Sequence, residues 1–170
     1  MRPLGGGSGE PSPARALTFL GCLFLIASGL QSSVAGHLPR FLGEPDLVLT
    51  LALVAALLSD SAIGALAGFA AGLITAALVG QTVGTFLVSR TLAGFAAGMA
   101  TTRLYRGNAV VVVVGVLVAS LVSEAAYFLA APHIGLSLGL RTLLLGPVWN
   151  AALALPTLWV LRRCGWGARR

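Results

Sequence analysis

Gly135-Leu136-Ser137-Leu138-Gly139 has the G-x-S-x-G spacing of a hydrolase nucleophile, and His133 stands two residues upstream. That spacing is catalytic when a strand-to-helix elbow exposes the serine beside an oxyanion hole. Here the motif falls in a connection between two long apolar runs, with no acid close by in sequence. An intramembrane serine protease would hold its serine and histidine on separate facing helices. The chain also lacks a phosphate-binding P-loop, a paired-carboxylate site and a His/Cys cluster with metal-ligand spacing. Cys22 and Cys164 are far apart and do not form a disulfide framework. The expectation is no catalytic residue, no metal and no cofactor.

Arg90 and Glu124 are the two ionisable residues set well inside apolar runs, at 82–101 and 109–131. Near a bilayer centre either charge alone costs about 2.5–3.5 kcal/mol on insertion scales, so each calls for a partner. Both lie at matching depth, about 12 Å and about 10 Å from the same end of their runs at 1.5 Å per residue. Consecutive helices run antiparallel, so an intramembrane Arg90–Glu124 ion pair is expected. The competing reading has Arg90 snorkelling to the interface and Glu124 simply protonated. A proton relay or substrate counter-ion ranks lower, because the remaining polar groups, Tyr127, His133, Trp149 and Asn150, are few for a transport path. Asn150 follows Pro147 by three residues and is expected to make a local interhelical hydrogen bond. Pro147 and Pro156 are expected to kink the last helix.

These residues need a scaffold, and composition decides which kind. Of 170 residues, 57% are hydrophobic and only 9% charged, and the mean hydropathy is +0.94. A soluble domain carries about 25% charged residues, so an all-α membrane protein is expected. The net charge of +6 comes from 11 basic residues, all arginine, against Glu10, Glu44, Asp46, Asp60 and Glu124. The arginines sit at the ends of apolar runs, which fits membrane orientation rather than a nucleic-acid partner.

Residues 1–15 are rich in Gly, Pro and Ser and read as a disordered tail. Residues 16–163 form the membrane domain, with runs at about 16–35, 46–59, 61–80, 82–101, 109–131 and 137–161, and 164–170 is a basic tail. Six helices are expected, with five as the fallback. The first run ends in Ser33-Val34-Ala35 and imitates a secretory signal, but it is long enough for a retained helix. The second run is short for a span of about 20 residues and is expected to borrow residues from Phe41 to Pro45 or to tilt little. Asp60 or Ser59 can cap the third helix. Val110 to Val114 favours a strand locally, but an open sheet edge is not viable in lipid, so a helix is expected. With both termini cytoplasmic, inner segments hold Arg2, Arg15, Arg103, Arg106, Arg162, Arg163, Arg169 and Arg170, and outer ones only Arg40 and Arg141. Arg103, Arg106, Arg162 and Arg163 are the cytoplasmic anchors, available to anionic lipid or an acidic partner.

LAGFAAG occurs twice, at 66–72 and 92–98. Gly64, Gly68 and Gly72 are spaced by four, as are Gly94 and Gly98. Small residues at that spacing let helix backbones approach closely in lipid. The two copies are therefore expected to be packing faces, against different helices or partly against each other.

Order and context carry a resemblance. Pro45-Asp46-Leu47 opens an apolar helix, and a short turn leads to Gly64-x3-Gly68-Phe69-x2-Gly72-Leu73 and Gly80-x3-Gly84. Leu92-Ala93-Gly94-Phe95 and a basic inner loop follow. The chain then runs through Leu145-Gly146-Pro147-Val148-Trp149-Asn150 to Arg162-Arg163. Over most of residues 40–163 this resembles the MreD family of bacterial rod-shape-determining membrane proteins. Ala76 stands where family members often carry an aspartate, so no role is transferred to it. The resemblance implies a non-enzymatic, multi-pass scaffold of the bacterial inner membrane. Its partners would be the lipid bilayer, an MreC-like membrane protein and the elongation complex that links cytoskeletal MreB to peptidoglycan synthesis and cell shape. The implied fold also resembles the substrate-binding S-component of energy-coupling-factor vitamin transporters, which is the alternative function. An S-component would need a small-residue face for its coupling subunit and an outer pocket built from Trp149, Asn150, Tyr127 and His133.

Overall fold

The computed structural model describes residues 13–35, 45–80, 83–100, 108–130 and 136–166. They form six helices and no strand: α1 Pro13–Ala35, α2 Leu47–Leu57, α3 Ser61–Val79, α4 Val83–Ala100, α5 Ala109–Ala130 and α6 Leu136–Arg163. Four stretches are long and apolar enough to cross a membrane: Ser61–Val79, Val83–Ala100, Ala109–Ala130 and Leu143–Arg163. Thr18–Ser33 within α1 and Leu47–Leu57 are apolar but shorter. The chain is thus compatible with a multi-pass membrane protein. Arg103, Arg106, His133 and Gly135 lie outside the described residues, while Ser137 falls in the first turn of α6.

The short α2 is the centre of the bundle. Its sequence, LVLTLALVAAL, is apolar all round, which is the pattern of a helix surrounded by protein. Val48 to Leu57 are all buried, and α2 packs against each of the other five helices. Eleven residues rise only about 16 Å, roughly half of a 30 Å hydrocarbon layer. Phe41 to Glu44 lie outside the described residues and Pro45 is not helical; the helix starts at Leu47, with Asp46 as its N-cap. Thr50, the polar interruption, turns its hydroxyl back to the Asp46 carbonyl at 2.7 Å.

Side-chain caps separate α2 from α3. The Asp60 carboxylate accepts from the Ala62 and Ile63 amides, both at 2.9 Å, which satisfies two orphan donors at the start of α3. At the far end Gly80 adopts φ 70° and its amide closes on the Ala76 carbonyl. Asn108 caps α5 through the Val110 amide at 2.9 Å, and the valine run is helical.

The seam between α3 and α4 is built from the repeated glycines. A Cβ on Gly64 would strike the Gly94 carbonyl, one on Gly68 the Arg90 carbonyl, and one on Gly72 the Phe86 carbonyl oxygen at 2.8 Å. In return, Cβ atoms on Gly94 and Gly98 would strike the carbonyls of Gly64 and Asp60. Each step of four residues along α3 is met by a step of four backward along α4, an antiparallel pair in backbone contact. The two LAGFAAG copies are offset along the seam and overlap only near Gly68 and Gly94: the first packs Gly68 and Gly72 against the Arg90 and Phe86 backbone, and the second packs Gly98 against that of Asp60. Leu66, Phe69, Leu92 and Phe95 of the same copies point outward.

α6 runs as one helix through Pro147 and Pro156. It ends in a Schellman turn, in which Gly165 at φ 77° donates to the Arg162 carbonyl and Trp166 to that of Leu161. The turn folds Trp166 back onto the core, where its indole N–H donates to the Ser59 hydroxyl at 3.1 Å and to the Ala55 carbonyl at 3.4 Å.

Candidate functional site

A helix that begins inside a bundle has orphan backbone N–H groups that water cannot reach. At the start of α2 they are met by side chains from other helices. Gln31 of α1 accepts from the Val48 amide at 3.1 Å. Asn150 of α6 accepts from the Asp46 amide at 2.9 Å. The Asp46 carboxylate itself accepts from the Leu49 amide at 2.8 Å.

The other oxygen of that carboxylate accepts from the Arg90 guanidinium of α4, the one ion pair among the described residues. Arg90 is 4% exposed. Its second arm donates to the Thr75 hydroxyl of α3, and its guanidinium lies 4.9 Å over the Phe86 ring. Phe86 in turn stacks on Tyr127 of α5, with ring centroids 4.7 Å apart. Asn150, 1% exposed, completes the cluster by donating to the Ser120 hydroxyl of α5 at 3.2 Å. Every helix contributes a polar side chain or a cap to this cluster.

The expected Arg90–Glu124 pair is corrected here: Arg90 pairs with Asp46. Depth along the membrane normal matches Arg90 to Glu124, but depth does not fix which way a side chain points around its helix. The close approach at Gly68 holds the Arg90 backbone against α3, and the guanidinium turns between Thr75 and the head of α2. Glu124 feels the charges of both Arg90 and Asp46, yet it forms no ion pair among the described residues. Gln31 and Asp46 do not stand out in the sequence as site residues. The readable signal is the second apolar run itself, too short to span and therefore bound to start among buried groups.

Gly64, Gly68, Gly72, Gly94 and Gly98 form the α3–α4 seam, which positions Arg90 from behind. Asn150 joins the cluster from α6. Arg162 and Arg163 stand apart from it, exposed on the last turn of α6, with Arg163 lying 4.9 Å over the Trp159 ring. Chemically the cluster is a lock. Arg90 has a partner on each arm, and both Asp46 oxygens and both ends of the Asn150 amide are occupied.

No protein-family model, characterised protein or solved structure matches the chain. The cluster and the seam therefore carry the functional reading.

Proposed function

We infer that the chain is a non-enzymatic, multi-pass membrane scaffold of the MreD kind. In this reading it lies in the bacterial inner membrane with both termini cytoplasmic. It binds an MreC-like partner and supports the elongation complex, peptidoglycan synthesis and cell shape. The observation that carries the reading is the closed polar cluster at the head of α2. Its charged and amide groups are engaged within the bundle, as expected of a rigid framework that works through its surfaces. The ordered motifs from Pro45 to Arg163 support it from the sequence side.

The alternative, an S-component of a vitamin transporter, draws less support from this geometry. Asn150 is buried and engaged, Tyr127 is stacked on Phe86, and the glycines that would offer a small-residue face are closed within the α3–α4 seam. Affinity purification of the tagged full chain from native membranes separates the two. Recovery of MreC-like and elongation proteins is the expected result. Recovery of an ATPase with a coupling subunit would replace the scaffold by the transporter. Exposed Cys164, just beyond the α6 helix, reports orientation: an impermeant thiol reagent should label it in inverted vesicles and not in intact cells.

A further inference from the structure

We propose that the end of α6 and the start of α5 form a binding site for one anionic phospholipid. An open groove of about 420 Å³ lies between them, lined by Ala109, Leu155, Leu158, Trp159, Arg162 and Arg163. Its composition is divided along its length. Leu155 and Trp159 present apolar surface, half or more of it exposed, as an acyl chain requires. One turn further, Arg162 and Arg163 stand where the apolar span Leu143–Arg163 ends, the level of a lipid headgroup.

The polar end suits a phosphate. Two adjacent guanidinium groups line it, and among the described residues no acidic side chain does. Arg163 stacks on Trp159, an arrangement that fixes the guanidinium plane while leaving its N–H edge available for bidentate phosphate binding. Tryptophan itself favours the membrane interface. Ala109 opens α5, so the positive end of that helix lies beside the last turn of α6, whose own negative end the two arginines offset. A free phosphate would use the arginines alone and leave the apolar half of the groove without purpose. A lipid uses both halves, and this complementarity selects it over an acidic protein segment. The inference rests on the membrane reading of the chain and is independent of the scaffold role.

The test is native mass spectrometry of the detergent-purified full chain, titrated with phosphatidylglycerol and, separately, phosphatidylcholine. Retention of one phosphatidylglycerol at concentrations that leave phosphatidylcholine unbound is expected. At about 1 kcal/mol per arginine near a charged surface, Arg162→Gln with Arg163→Gln should weaken it about 30-fold. The tail double variant, Arg169→Gln with Arg170→Gln, removes the same charge and should change it less than about 3-fold, as a site built on the two α6 arginines requires. Trp159→Leu keeps both charges and should weaken retention several-fold, a second reading if the arginine variant is poorly folded. Equal losses in the two arginine variants, or equal retention of the two lipids, would overturn the proposal. So would displacement of the lipid by equimolar glycerol 3-phosphate or by a polyglutamate peptide, which would assign the arginines to a free anion or to an acidic partner.

Discussion

Asp46 serves two helices at once: one carboxylate oxygen caps α2 through the Leu49 amide and the other receives the Arg90 guanidinium of α4. Cap and ion pair are therefore one device, and they can be separated by mutation. Asp46→Asn preserves a good cap but leaves Arg90 buried without its counter-charge. Removing one partner of a buried pair costs about 3–5 kcal/mol, so a large drop in thermal stability is expected by fluorescence-detected size exclusion in detergent. Asp46→Asn combined with Arg90→Met removes the stranded charge and should recover most of the loss. Glu124→Gln should change stability little by the same measurement.

The α3–α4 seam predicts opposite outcomes for two glycines of similar sequence context. Gly68→Ala places a methyl group into the Arg90 backbone and should abolish the monodisperse folded peak. Gly84→Ala meets nothing within 4 Å and should be neutral or stabilising by up to about 1 kcal/mol, since alanine is the better helix former. If Gly68→Ala melts like wild type, the backbones are not in contact.

Asn150 and Ser120 should differ in severity. Asn150→Leu leaves the partly buried Asp46 amide without an acceptor, a loss of about 1–3 kcal/mol at most. Ser120→Ala removes one interhelical bond, worth about 0.6 kcal/mol on average in a membrane protein. Thermal melts of the two variants and of their combination should show the greater loss at Asn150, with the double variant close to Asn150→Leu alone.

The C-terminal turn makes a local prediction. Gly165 at φ 77° is in the left-handed region, where a side chain costs about 1–2 kcal/mol. Gly165→Ala should release Trp166 from Ser59, seen as a red shift and easier quenching of the indole emission. Trp166→Phe keeps the ring but loses the donor and should have the smaller effect on stability.

Much of the framework is legible in the residues. Hydropathy places six helical segments, and four-residue glycine spacing marks α3 and α4 as close-packing elements. Asp60 is readable as a cap because a short polar turn divides two apolar runs. What stays hidden is azimuth. Nothing in the spacing of Arg90 and Glu124 shows that the guanidinium faces α2 and α3, because that direction follows from the Gly68 contact across the seam. Gln31 looks like an ordinary polar residue near the end of an apolar run. Its purpose is visible only once α2 is known to begin inside the bundle, where a backbone amide needs an acceptor.

The four-residue stepping of the seam has a cost in ambiguity. If α4 slid by four residues, about 6 Å, Gly64 would face Gly98 and Gly68 would face Gly94, so the four-residue glycine spacing accommodates the slid alignment as well. Close approach and unique alignment are thus separate properties, and the duplication supplies only the first. The second comes from the asymmetric polar contacts that Arg90 makes with Thr75 and Asp46, which a slide would break. The buried charge acts as an index mark on an otherwise periodic track.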